Sequence, residues 1–127
     1  NDSLARHESY FYAELKRLKE IIEELAKGEP LLILLDEILK GTNSRDKQNG
    51  SVALIKQLMK YKPIGLFATH DLELGNLYNT YPNNIQNLCF EISITGNQLH
   101  IDYKLRKGVC STLNASYLMR QMGITDE

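Results

Sequence analysis

The sequence predicts an α/β fold in which parallel strands joined by crossover helices are followed by a β-hairpin and a terminal helix. Three observations carry that expectation. Phe11, Leu15, Leu18, Ile22 and Leu25 recur at steps of four and three, one stripe of a helix. Two apolar runs without alternation, 31–35 and 64–68, read as buried strands with a helical stretch between them. Leu88, Phe90, Ile92 and Ile94, then Leu99, Ile101, Tyr103 and Leu105, alternate with other residues about Gly96-Asn97, the pattern of a hairpin with one buried face.

The first helix spans about 4–27 and stops at Gly28 and Pro30. The run Leu31 to Leu35 fits a strand covered on both faces and ends in Asp36-Glu37. Residues 40–51 are polar and turn-rich. The next helix carries Val52, Ile55, Leu58 and Met59 on one face, and Pro63 and Gly65 break it. Ile64 to Ala68 forms the second strand and leads into Thr69-His70-Asp71, with Asp71 as N-cap of a short helix through Leu74, Leu77 and Tyr78. After the hairpin, a helix over 113–122 ends at Gly123. Helix, strand, helix, strand, helix, hairpin, helix is α/β order.

Composition narrows the function. The 127 residues are 43% apolar and 24% charged, enough for a folded core. Fifteen basic against sixteen acidic residues leave a net charge of −1, which advertises neither nucleic acid nor an acidic tail. Two cysteines, Cys89 and Cys110, make no disulfide framework and no zinc pattern, and they suggest a reducing, cytoplasmic setting with both thiols free. No apolar run approaches the roughly 20 residues of a membrane span. With no initiating methionine, the chain looks like an excerpt of a longer protein.

Chemistry concentrates at the strand ends, where open α/β sheets bind ligands. At Asp36-Glu37 one carboxylate can hold hydrated Mg²⁺ on a nucleotide while the other orients a water. His70, at the end of the second strand, can donate to a phosphoryl oxygen. Each feature alone is an ordinary strand exit, but a crossover helix places both on one rim. The loop Gly41-Thr42-Asn43-Ser44-Arg45-Asp46 follows the acidic pair.

In this order the features resemble the ATPase domain of the MutS family, within the ATP-binding-cassette class. Leu31 to Glu37 resembles the Walker B strand, Gly41-Thr42 the loop after it, and Phe67-Ala68-Thr69-His70 the family's Phe-Ala-Thr-His segment. Ser9-Tyr10-Phe11-Tyr12-Ala13-Glu14 is similar to the Ser-Thr-Phe-x-x-Glu signature that opens a helix, and Lys104-Leu105, Gly108 and Met122-Gly123-Ile124 resemble the end of the ATPase core. The resemblance implies the C-terminal half of a P-loop ATPase domain: signature helix over 1–28, Walker B and histidine segment over 29–80, hairpin and terminal helix over 85–127. It implies ATP and Mg²⁺ as cofactors. Asp36 would hold the metal, Glu37 activate water, His70 touch the γ-phosphate and Thr42 contact nucleotide. Ser9 would reach the nucleotide of a second copy across a homodimer. DNA would be bound by regions outside this chain, in mismatch repair or a related task.

Tyr10, His7, Lys47-Gln48-Asn49 and Leu113-Asn114-Ala115 depart from the family pattern and point to a divergent branch. No Gly-x-x-x-x-Gly-Lys occurs, so the phosphate-cradling Walker A loop is expected upstream, and this stretch by itself is expected not to hydrolyse ATP. By the resemblance, the strand leading into that loop would sit between strand 64–68 and the strand at Leu88, so its absence would leave a hole in the sheet or be closed by pairing those two strands directly. The competing readings are a non-catalytic ATPase-like dimerisation scaffold and another ATP-binding-cassette ATPase.

Overall fold

The computed structural model describes residues 2–95, 98–110 and 115–126. In chain order these form α1 (Asp2–Ala26), β1 (Leu32–Asp36), α2 (Ser44–Met59), β2 (Ile64–Ala68), a 3-10 turn (Leu72–Asn76), α3 (Leu77–Thr80), β3 (Leu88–Thr95), β4 (Gln98–Lys107) and α4 (Ala115–Gln121). The mixed α/β character expected from sequence is present. The chain divides into two compact units, 1–77 and 78–127.

In the first unit β1 and β2 pair in parallel, from Leu32 opposite Ile64 to Asp36 opposite Ala68. Leu25 of α1, Ile33 of β1 and Leu58 of α2 form the core, with Ile21, Ile22, Leu31, Leu35 and Leu54 packed around it. Both helices thus bury their apolar stripes on one face of the strand pair. Gly28, at φ 86, ends α1 in a left-handed turn, donating to the Leu25 carbonyl at 3.0 Å. The expectation of strands covered on both faces is corrected here. Alternation along β1 and β2 sends Leu32, Leu34, Ile64 and Leu66 to the other side, where they are 65–77% exposed.

A second correction concerns α2, which starts at Ser44 rather than after residue 51. Asn43 caps it: its Oδ1 accepts from the Asp46 amide at 2.9 Å and its Nδ2 donates to the Asp46 carboxylate at 3.0 Å. Gly50 is therefore not a turn but a helix position short of space. A Cβ there would lie 2.6 Å from Cδ1 of Leu39, which is itself buried.

In the second unit β3 and β4 pair antiparallel, with Leu88 opposite Lys107 and Thr95 opposite Gln98, and an irregularity between Phe90 and Ile92. Among the described residues each unit thus holds one two-stranded sheet, β1 with β2 and β3 with β4. The described residues of the hairpin's expected buried face are open: Phe90, Ile92, Leu99, Ile101 and Leu105 are 39–57% exposed, because a two-stranded ribbon has little of its own to cover them. Among the described residues of this ribbon, Cys89 is buried. Gly123 closes α4 at φ 76, and the Ile124 amide reaches back to the Met119 carbonyl at 2.8 Å. The expected turn at Gly96-Asn97 and the expected helix start at Leu113-Asn114 lie outside the described residues.

The Gly50 packing generates a test. In an unstrained helix interior Gly→Ala gains about 1 kcal/mol. Here overpacking against Leu39, typically about 1–3 kcal/mol, outweighs the gain. Gly50→Ala lowers the urea midpoint of the full-length protein, and adding Leu39→Ala costs less than it does in the wild type. Additive costs would show that the two side chains do not meet.

Candidate active site

The site forms where β1 and β2 end. Asp36 and Ala68 are the last paired residues, and the Glu37 amide extends the ladder by donating to the Ala68 carbonyl at 2.9 Å. There the chain kinks: Glu37 has φ 47, left-handed for a non-glycine residue. Such backbone costs on the order of 1–3 kcal/mol and persists only where its surroundings hold it. The side chain supplies that hold. Oε1 accepts from the His70 amide at 2.5 Å and lies 2.9 Å from His70 Nδ1, and Oε2 accepts from Lys47 Nζ at 2.6 Å. The Glu37 side chain is 13% exposed and that of His70 is 96% exposed. The Lys47 hydrogen bond, then that of His70, pulls the Glu37 carboxyl down to about 2, against the opposing push of desolvation.

The structure thus joins two of the expected site residues, Glu37 and His70, directly. Asp36 lies beside them, exposed, and takes part in none of the ion pairs of the described residues. Thr42 is half-buried in the loop beyond, its amide donating to the Leu39 carbonyl at 3.3 Å. That loop is anchored on α1. Glu14 Oε1 accepts from the Leu39 amide at 2.7 Å, Ile38 and Leu39 are buried, and Gly41 lies so close to Phe11 that a Cβ would sit 3.0 Å from the Phe11 Cβ. The aromatic and acidic members of the signature-like segment therefore brace the loop after the acidic pair.

Ser9 takes no part in the cluster. It is exposed, and α1 begins at Asp2, so Ser9 lies two turns inside the helix rather than at its start. Its amide is consumed in helix hydrogen bonding, and free helix-end amides are not available there. No breaker separates residues 2–8 from the amphipathic stretch, which is why the helix runs on.

Two residues that sequence reasoning left as a mere departure, Lys47 and Gln48, hold the site. Both lie one turn into α2. Lys47 reaches the end of β1 through Glu37. Gln48 Nε2 reaches the end of β2 through Asp71, 3.1 and 3.2 Å from its carboxylate oxygens. Asp71 also caps the 3-10 turn by accepting from the Glu73 amide at 3.0 Å, as expected, and its own amide donates to Thr69 Oγ1 at 3.0 Å. The Asn43-x-x-Asp46 cap was the signal that would have placed residues 47 and 48 on a helix facing the strand ends. Among the described residues no group of three His, Cys, Asp or Glu could hold a metal by itself.

Glu37 has its carboxyl depressed in the folded state, so its stabilising effect is complete above pH 4.5 and lost as the pH falls from there towards 2. Lys47→Met removes the largest cause. The Glu37 carboxyl then titrates nearer its ordinary 4.5, which a site-labelled carbon-13 pH titration of the full-length protein reads directly. An unchanged midpoint would show that the Lys47 ion pair does not form.

The family model for MutS domain V matches residues 1–124. The chain is 32% identical over 120 residues to MutS protein homolog 4 of Homo sapiens, covering 90% of this chain and 12% of that protein. It is 32% identical over 108 residues to the DNA mismatch repair protein MutS of Thermotoga neapolitana, covering 85% and 13%. The DNA mismatch repair protein MSH4 of Arabidopsis thaliana is 27% identical over 121 residues, covering 95% and 15%. The chain thus spans about an eighth of the length of these relatives, and no described helix is long and apolar enough to cross a membrane. With a match running from its first residue to within three of its last, the chain belongs to the MutS family, as its domain V.

Proposed function

We propose that this domain is the catalytic half of an ATPase module in a cytoplasmic MutS-like protein, working with a Walker A loop from elsewhere in the full-length chain. The observation that carries the proposal is the tie between Glu37 and His70, which binds the ends of both parallel strands into one rim. Asp36, exposed and without an ion-pair partner there, suits Mg²⁺, which takes one or two carboxylates and otherwise keeps waters and nucleotide phosphates. Bound ATP with Mg²⁺ would supply the electrophilic γ-phosphoryl group.

The residues of this chain then have distinct tasks. A carboxylate has about four lone-pair sites. On Glu37 the two hydrogen bonds at Oε1 and the one at Oε2 leave a single acceptor position. A carboxyl held at about 2 stays ionised at neutral pH, so Glu37 orients a water by accepting from it rather than storing its proton. His70 presents its exposed imidazole to a phosphoryl oxygen. Thr42, on the loop braced by Phe11 and Glu14, contacts the nucleotide. Ser9, exposed on α1, reaches the nucleotide of a second copy through its hydroxyl. Hydrolysis across that homodimer would be coupled to DNA held by other parts of the protein, as the mismatch-repair names of the relatives suggest.

In the full-length protein Glu37→Gln keeps MgATP binding, because a negative charge beside the phosphates is removed, while single-turnover hydrolysis falls by about 10²–10⁴. Asp36→Asn weakens binding and turnover together. Near wild-type turnover in Glu37→Gln would overturn the assignment of Glu37, and absence of hydrolysis in the wild-type full-length protein would leave a dimerising scaffold. Mixing Ser9→Arg subunits with Asp36→Asn subunits restores about one working site per mixed dimer if Ser9 acts in trans, and no recovery of activity rejects that placement.

A further inference from the structure

The second unit holds a feature unrelated to the strand-end site. β4 ends at Lys107, and Gly108 turns the chain back with φ 105, its amide donating to the Asn87 carbonyl at 2.8 Å. Only a residue that tolerates left-handed backbone makes this turn cheaply. Two residues on, Cys110 returns to β3, and its Sγ donates to the Phe90 carbonyl at 3.4 Å. Phe90 is the neighbour of Cys89. The return turn thereby carries Cys110 back to the start of β3, beside Cys89, 21 residues away in sequence. Expecting no framework to bring them together missed this return turn. Cys89 is buried and Cys110 half-buried, and both are reduced in this structure.

We propose that Cys89 and Cys110 are a redox pair that a peroxide converts to an intrachain disulfide, clasping the segment after β4 onto β3. The accessible Cys110 meets the oxidant. Its sulfur, having given up its proton to solvent, attacks one peroxide oxygen and the O–O bond breaks. A sulfenic acid forms, and the departing hydroxide takes up a proton as water. The Cys89 sulfur then attacks the sulfenic sulfur. The S–O bond breaks, the hydroxyl leaves with the Cys89 proton as a second water, and the S–S bond closes. In total, two thiols and one peroxide give one disulfide and two waters. Burial, with the neighbouring Cys110 thiol adding to it, pushes the Cys89 thiol up, so Cys89 stays protonated and acts second. A thiol reductant reverses the change.

The test uses the full-length protein treated with hydrogen peroxide, blocked with an alkylating agent and cut with trypsin, which cleaves at Lys104, Arg106 and Lys107 and so separates the cysteines. The expected product is a linked pair of peptides carrying Cys89 and Cys110, lighter than their sum by about 2 Da, two hydrogens, and released by dithiothreitol. Cys110→Ser abolishes the link without altering a buried position. Alkylated Cys89 and Cys110 after peroxide, overoxidation of Cys110 with no link, or linkage of either residue to a different cysteine each overturn the proposal.

Discussion

The Glu37 carboxylate is the interaction on which the strand-end architecture depends. It lies at a left-handed kink that a glutamate would not choose, and its two oxygens reach His70 after β2 and Lys47 on α2. One side chain therefore closes the β1–α2–β2 unit at the rim where the chain leaves both strands. Remove it, and the Lys47 ammonium, the His70 amide and the strained backbone lose a common partner. Buried helix–strand packing of Leu25, Ile33 and Leu58 fixes the layers, but not the course of the chain beyond the strand ends.

Support for that kink comes from both sides of the loop. Glu14 holds the Leu39 amide, and Phe11 leaves room for nothing larger than glycine at position 41 without movement. Leu39 is also left-handed, at φ 62, and meets Gly50 on α2. The loop is thus clamped between α1 and α2. Two consecutive α2 residues, Lys47 and Gln48, tie the ends of the two strands, so any shift of α2 along its axis would disturb Glu37 and Asp71 together.

Much of this was legible in the sequence, and the failures share a physical cause. β2 occupies 64–68 as expected because Pro63 and Thr69 bound an apolar run. Asp71 caps its turn because a short carboxylate has a free amide two residues on. Glu37 and His70 meet because parallel pairing puts both strand ends on one edge. The helix start at Ser44 was hidden because Gly50 reads as a turn, whereas it is small to admit Leu39, a tertiary reason that local pattern cannot reveal. Apolar runs and alternation implied two-sided strands and a buried hairpin face, yet Leu34, Leu66 and Phe90 are open. Hydrophobic pattern records that a surface is apolar, not which segment covers it.

Charge bears on how two adjacent carboxylates would serve the polyanionic ligand of the proposed ATPase. Asp36 and Glu37 together carry two negative charges that would repel phosphates. The 2.6 Å pairing with Lys47 offsets one of them, and the ion pair is largely shielded, with the lysine side chain 29% and the glutamate side chain 13% exposed. Screening by salt is weak for such a pair. The rim then presents one uncompensated carboxylate, Asp36, beside an ionised one already engaged by three donors. In the proposed ATPase that asymmetry would divide the labour: Asp36 would be the carboxylate left to attract a cation, while Glu37 is held by Lys47 and His70.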